Sequence, residues 1–187
     1  PGAALLLLLP AALLASSYPK ASQRGNRLYP RFLENILGTL PANAVFLCAT
    51  DEVALGAGYL LEVEKRRPDI AFVLQGLAGR PPYDATLRRR YPDLAWPASK
   101  PGSVFDLGEF ARRNVARRRL FTDDLPRGLG LPVARYGLIY EIRREPPSPD
   151  EGIRTNEELF GRYDHCQVNT ALYPPDSMCF SIVVFHY

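Results

Sequence analysis

Apolar positions along this 187-residue chain occur in two patterns, short continuous runs and longer stretches at helical spacing. Continuous apolar runs of four to eight residues are typical of strands that are buried on both faces. Two such runs, at residues 44–49 and 70–74, and a third short segment, Leu120-Phe121-Thr122, predict neighbouring strands of one mostly parallel sheet. A fourth run, at residues 138–142, alternates with polar Glu141 and predicts a strand near a sheet edge with one face in water.

The longer stretches place apolar residues three and four positions apart, as amphipathic helices do. One of them follows the first run: Thr50 is placed to cap a helix, Asp51 and Glu52 supply an acidic first turn, and Pro68 follows its basic end. A strand, helix and strand joined this closely predict two parallel strands. Helices are predicted over residues 29–40, 51–67, 83–91, 105–119 and 156–163. The predicted fold class is therefore α/β, a small mostly parallel three- to four-stranded sheet with flanking helices.

The amino-terminal segment, residues 2–15, consists almost entirely of Ala and Leu. At about 1.5 Å per residue it would span roughly 21 Å, against about 30 Å for the hydrocarbon core of a bilayer. Three interpretations stay open: the end of a truncated transmembrane helix, the apolar region of a signal peptide, and a buried core helix. The first residue is Pro1 and no Lys or Arg precedes the run, so we favour the membrane helix in a processed chain or fragment.

Composition shifts divide the chain into four parts. Residues 1–17 are expected to be the end of a transmembrane helix, 18–43 a polar linker and helix, 44–145 the α/β soluble domain, and 146–187 a Pro-rich linker and tail. The basic residues in the second part would favour the cytoplasmic side by the positive-inside rule, but that rule weakens before a folded domain, so orientation stays open. Because the first part is apolar on every side, we expect it to project from the domain rather than join its core.

The charge balance argues against a nucleic-acid partner, since 23 basic and 20 acidic residues leave a net charge of only +3. Hydrophobic residues make up 47% of the chain, enough for a folded core. Cys48 lies inside an apolar run and is expected to be a buried, inert thiol. Cys166 and Cys179 lie in the tail, and whether they pair is left open; no spacing of Cys and His indicates a metal site.

Acidic residues follow two of the predicted strands. Thr50, Asp51 and Glu52 come after the first strand, and Asp123 and Asp124 after the third. In an open α/β sheet ligands bind beyond the carboxyl ends of the strands, so these five residues are the candidate ligand-binding site, for a divalent cation or sugar hydroxyls. The alternative is structural, with helix capping by the first group and turn formation by the second.

Signatures of the common catalytic sites are absent from the sequence. It contains no Gly-rich phosphate loop and no GxSxG motif, and both histidines lie in the tail. We therefore predict no catalytic residue, no metal and no cofactor in this chain.

Several short motifs in order along the chain carry a resemblance to a known family. They are ILGTLPANAVF at residues 36–46, RPDIAFV at 67–73, ARRNV at 111–115, RLFT at 119–122 and YGLIY at 136–140. The chain, over residues 5–163, resembles the carboxyl-terminal soluble region of bacterial multi-spanning membrane proteins similar to protein O-mannosyltransferases. Members typically carry Gly-Asp-Asn-Asp and an aromatic-rich helix start after the first strand; the matching stretch here, residues 49–54, is ATDEVA, in which only Asp51 matches and the Asn and Trp are missing.

The resemblance implies an accessory, extracytoplasmic domain of a bacterial inner-membrane glycosyltransferase that uses a lipid-linked sugar. The catalytic acid of such enzymes lies in an early extracytoplasmic loop, outside this chain, so the chain is not expected to be catalytic by itself. Its implied partners are the remainder of its own membrane domain and a lipid-linked sugar or acceptor. The alternative is an exported, free-standing α/β ligand-binding domain with an amino-terminal signal peptide.

Overall fold

The computed structural model describes residues 2–21, 27–98 and 105–164, with side chains in the first range described only for residues 8–18. In these ranges the helices are α1 (Gly2–Ala21), α2 (Leu28–Thr39), α3 (Asp51–Gly58), α4 (Pro81–Arg90), α5 (Leu107–Asn114) and α6 (Pro149–Arg162). The strands are β1 (Val45–Cys48), β2 (Ala71–Leu74), β3 (Leu120–Thr122), β4 (Val133–Tyr136) and β5 (Ile139–Ile142).

The five strands form one mixed sheet in the order β2-β1-β3-β5-β4. β1 pairs in parallel with β2 on one side and with β3 on the other, which confirms that the first three predicted strands are neighbours in one sheet. β5 pairs antiparallel with both β3 and β4. The α/β class is therefore confirmed, whereas the sheet has one strand more than the expected three to four and two of its four pairings are antiparallel.

The additional strand, β4, lies between the third and fourth predicted strands, where the sequence pattern predicts no strand. Its four residues are all half-buried and show no apolar alternation, so the strand has no pattern of its own. It is held by pairing with β5 through a tight turn at Gly137, where φ is +63°. A Cβ atom at this position would collide with the Tyr163 hydroxyl. Glycine is therefore required here both by the positive φ angle and by the lack of space for a side chain.

Two apolar clusters cover the two faces of the sheet. Because successive side chains of a strand point to opposite faces, Val45 and Leu47 of β1 join one cluster while Phe46 and Cys48 join the other. The first face is covered mainly by α4 and α5, and the second by α2, α3 and α6. Burial on both faces explains why β1 and β2 are continuously apolar in sequence and why β3 has only one polar residue, Thr122.

α3 runs on into a π-helical segment, Tyr59–Val63, so the helix predicted over residues 51–67 is confirmed but ends four residues earlier, in a wider last turn. The helix lies close to α2. A Cβ atom at Gly56 would meet the side chains of Leu33 and Tyr29, and Tyr29 also donates a hydrogen bond to the Glu52 carbonyl. Gly56 therefore permits close packing of α3 against α2.

α6 begins at Pro149, seven residues before the helix predicted at residue 156. Ser148 caps it by accepting a hydrogen bond from the Glu151 backbone N–H, and the proline occupies the first turn. α2 and α6 both contribute to the second-face cluster, through residues such as Phe32 and Leu159. The tail at residues 165–187, with Cys166 and Cys179, lies outside the described residues.

α1 is a helix with an exposed apolar surface. Leu8, Leu9, Leu13 and Leu14 are each 57–67% exposed, and none of residues 8–18 belongs to either apolar cluster. The described side chains of this helix, at residues 8–18, therefore lie outside the apolar core of the domain. In the part of the chain that the structure describes, no helix is both long enough and apolar enough to cross a membrane.

Candidate functional site

The candidate site lies at the carboxyl ends of β1 and β3. From β1 the chain continues to β2 on one side, and β3 lies on the other, so the strand order reverses between β1 and β3. This reversal is where open α/β sheets bind ligands. The structure brings the two predicted groups together here, because the Asp123 side chain reaches Thr50.

Asp123 is almost completely buried, with 1% of its surface exposed. One carboxylate oxygen, Oδ1, accepts a hydrogen bond of 2.7 Å from the Ala49 backbone N–H. The other, Oδ2, accepts from the Thr50 backbone N–H at 3.0 Å and from the Thr50 hydroxyl at 2.6 Å. The carboxylate therefore fixes the turn that joins β1 to α3.

A buried thiol completes the environment of Asp123. Cys48 donates from Sγ to Asp123 Oδ2 at 3.2 Å. Burial raises the pKa of the Cys48 thiol well above its usual range, and the negative charge of Asp123 raises it further. The neutral thiol is thus the stable form, as expected for the inert cysteine predicted from the sequence.

Gln75, directly after β2, belongs to the same edge of the sheet. It is not among the site residues predicted from the sequence. Its side-chain amide nitrogen donates to the Leu47 carbonyl at 2.9 Å and to the Thr122 hydroxyl at 3.3 Å. It therefore ties the ends of all three parallel strands together. The signal that could have found it is its position, since a polar residue that ends the second apolar run falls at the same edge as those that end the first and third.

The other predicted residues form an exposed rim. Asp51 and Asp124 are exposed and Glu52 is half-buried. Asp51 and Glu52 lie in the first turn of α3, where negative charge stabilises the helix dipole. Asp124 accepts a hydrogen bond from the Leu125 backbone N–H. The predicted capping of α3 by the Thr50 side chain is wrong, because its hydroxyl bonds to Asp123 instead.

This arrangement offers few groups for catalysis or metal binding. Asp123 already accepts four hydrogen bonds, three of them from residues 49 and 50, so a role of the carboxylate as base, nucleophile or metal ligand would compete with the bonds that hold the turn. Among residues 27–98 and 105–164 no group of three or more His, Cys, Asp or Glu side chains is placed to hold a metal ion. The rim carboxylates remain able to accept hydrogen bonds from a ligand's hydroxyl groups.

The basic run at residues 117–119 is engaged in structural contacts. Arg118 pairs with Asp93 at 2.8 Å, and Arg119 pairs with the buried Glu141 at 2.7 Å. Arg119 also lies over the rings of Phe121 and Tyr136. The structure thus gives these arginines roles within the fold.

Comparison of the chain with protein-family models, with curated proteins and with solved structures finds no match. The function must therefore be argued from the residues of this chain and their arrangement.

Proposed function

We propose that this chain is an accessory, extracytoplasmic domain of a bacterial inner-membrane glycosyltransferase resembling protein O-mannosyltransferases, and that it is not catalytic by itself. It would bind a lipid-linked sugar or an acceptor, or hold the membrane portion of its own protein in place. The observation that carries the proposal is the hydrogen bonding of Asp123, the buried carboxylate between β1 and β3. We call this place, where the strand order reverses, the switch point of the sheet. The hydrogen bonds of Asp123 are used to build the β1–α3 turn, which leaves a polar binding edge without a reactive group.

The acidic residues of the exposed rim indicate the class of ligand. Asp51 and Glu52 follow β1 and Asp124 follows β3, where they are exposed or half-buried, and Gln75 follows β2 at the same edge of the sheet. Carboxylate and amide groups hydrogen-bond well to the hydroxyl groups of a sugar. These acidic side chains disfavour a phosphate at this edge, so a lipid-linked sugar would be bound here through its sugar hydroxyl groups and not through its phosphate.

The exposed apolar surface of α1 supports the proposed membrane attachment. Exposed leucines on an apolar helix are unfavourable in water and are satisfied by lipid or by other membrane helices. In the alternative, residues 1–17 are a signal peptide and the remainder is an exported binding domain with the same polar edge. The two differ in whether the mature protein retains α1.

The catalytic part of the proposal is tested with the purified full chain and polyprenyl-phosphate mannose. We expect no transfer of mannose to peptide or lipid acceptors. Turnover that is lost in Asp51→Asn would overturn the non-catalytic role.

The attachment is tested by expressing the full chain in bacteria and separating membrane from soluble fractions. We expect the chain in the inner-membrane fraction with residues 1–17 still present. A soluble periplasmic product whose amino terminus lies near residue 18 would instead support the exported binding domain.

A further inference from the structure

A second surface, away from the switch point, lies along α6. One face of this helix, lined by Pro149, Gly152, Ile153, Asn156, Glu157 and Phe160, borders an open cavity of about 600 Å³. These positions recur three and four residues apart, so they share one side of the helix. We call this surface the α6 groove.

The α6 groove is predominantly apolar although it faces solvent. Ile153 is 58% exposed, and Phe160 is half-buried with its ring edge-on to that of Tyr163. Asn156, on the same face, accepts from the Gly137 backbone N–H and donates to the Arg135 carbonyl, which places the groove next to β4 at the edge of the sheet. A helix face of this kind beside a sheet edge is suited to bind an apolar segment.

We propose that the α6 groove is occupied by residues 180–187 of this same chain. Their sequence, FSIVVFHY, is rich in β-branched and aromatic residues on both alternating faces, so it needs an apolar partner on at least one of them. Only one charged residue, Asp176, occurs between residues 166 and 187, which agrees with the apolar character of the groove.

The point at which the tail starts supports this assignment. Asp164, just after α6, is fixed to α2, since its backbone N–H and carbonyl bond to the Asn35 side chain and its carboxylate pairs with Arg31. The tail therefore leaves from the end of the helix that carries the groove. Residues 165–179 can extend up to about 50 Å, whereas α6 is only about 21 Å long, so residues 180–187 can reach every part of the groove.

The test uses the native thiol of Cys179 in the full chain carrying Cys166→Ser. A second thiol is placed in the groove by Glu157→Cys, or on the opposite side of the same helix by the matched control Glu158→Cys. Both positions are exposed, so the substitutions should not disturb folding. We expect an intramolecular disulfide to form roughly tenfold faster from position 157 than from position 158, because docking raises the local thiol concentration. Adding Ile153→Asp should remove this difference.

Equal rates at positions 157 and 158 would overturn the proposal, and so would disulfide-linked dimers formed preferentially from position 157, since a second copy would then occupy the groove. Hydrogen exchange gives an independent readout. The amides of α6 should exchange faster in a full chain carrying Ile182→Asp and Val184→Asp than in the unmodified chain, and unchanged exchange would also overturn the proposal.

Discussion

The hydroxyl of Thr50 donates a 2.6 Å hydrogen bond to the carboxylate of Asp123, which links the end of β1 to the end of β3. The two residues are 73 positions apart in the chain, so the bond closes the switch point of the sheet only after both strands have paired. The same carboxylate accepts the backbone N–H groups of Ala49 and Thr50, which would otherwise be unsatisfied where α3 begins. Asp123 is therefore expected to be the most sensitive of the five predicted site residues.

The first prediction is that Asp123→Asn destabilises the fold by about 2–3 kcal/mol, because an amide removes the charge and directs N–H groups toward other donors. Thr50→Val should cost about 1 kcal/mol through loss of the single hydroxyl bond. Urea unfolding monitored by circular dichroism measures both.

Asp124→Asn is the matched control, since Asp124 is exposed and bonds only to its neighbour's backbone among the contacts described for it. It should change the free energy of unfolding by less than about 0.5 kcal/mol. If both aspartates prove equally tolerant, Asp123 does not hold the turn and is available for another role.

The second prediction concerns stability at acidic pH. Arg67 donates to three carbonyls at the end of α2, those of Leu37, Leu40 and Pro41, and pairs with Asp69. The hydrogen bond from the Arg67 guanidinium lowers the pKa of Asp69 to about 2. The native state thus binds a proton less readily than the unfolded chain. The stabilisation is present above the ordinary aspartate value of 3.8 and is lost as the pH falls toward about 2.

Urea unfolding of the wild type and of Asp69→Asn between pH 5 and pH 2 measures this contribution. The difference in free energy of unfolding between the two proteins should shrink as the pH falls from 4 to 2. A constant difference across that range would show that the ion pair of Asp69 contributes nothing to stability, as is common for partly exposed pairs.

The third prediction concerns the contact of α6 with the rest of the domain. The Tyr163 hydroxyl is within 2.8 Å of the Thr39 hydroxyl and accepts from the Leu138 backbone N–H at 3.2 Å. Tyr163→Phe leaves both buried groups without this partner and should cost about 1–3 kcal/mol. Tyr59→Phe, at a position that is 53% exposed, is the control and should be nearly neutral in thermal unfolding. Equal melting temperatures for the two variants would contradict the role given to Tyr163.

The sequence predicts most of the parallel half of the sheet and much less of the antiparallel half, for a physical reason. β1, β2 and β3 are covered on both faces, so β1 and β2 are uninterrupted apolar runs and β3 has a single polar residue, Thr122. Strands of this kind can be recognised without knowing their partners. β4 is only half-buried, and it exists because β5 offers a hydrogen-bonding edge and Asn156 holds its end. Long-range pairing of this kind leaves no periodic pattern in the strand itself.

The location of the candidate site was predictable, whereas the division of roles within it was not. That the carboxyl ends of β1 and β3 meet follows from parallel pairing alone. Which of the adjacent residues Asp123 and Asp124 turns inward depends on how β3 ends, and the sequence treats the two alike. Gln75 was missed because its contacts, to Leu47 and Thr122, exist only once three strands are aligned.

The last prediction concerns α1. Deleting residues 1–17 should raise the solubility of the chain and leave its thermal stability nearly unchanged. The leucines that the structure describes in this helix are more than half exposed, and residues 8–18 contribute nothing to either apolar cluster, so their removal takes no packing from the core. In water, an exposed apolar helix promotes self-association, which static light scattering over a range of protein concentrations detects. The matched variant Leu9→Glu with Leu13→Glu keeps the length of the helix and should suppress association in the same way. If the deletion instead lowers the melting temperature by more than a few degrees, the segment packs against the domain, and the proposed attachment to a membrane loses its main support.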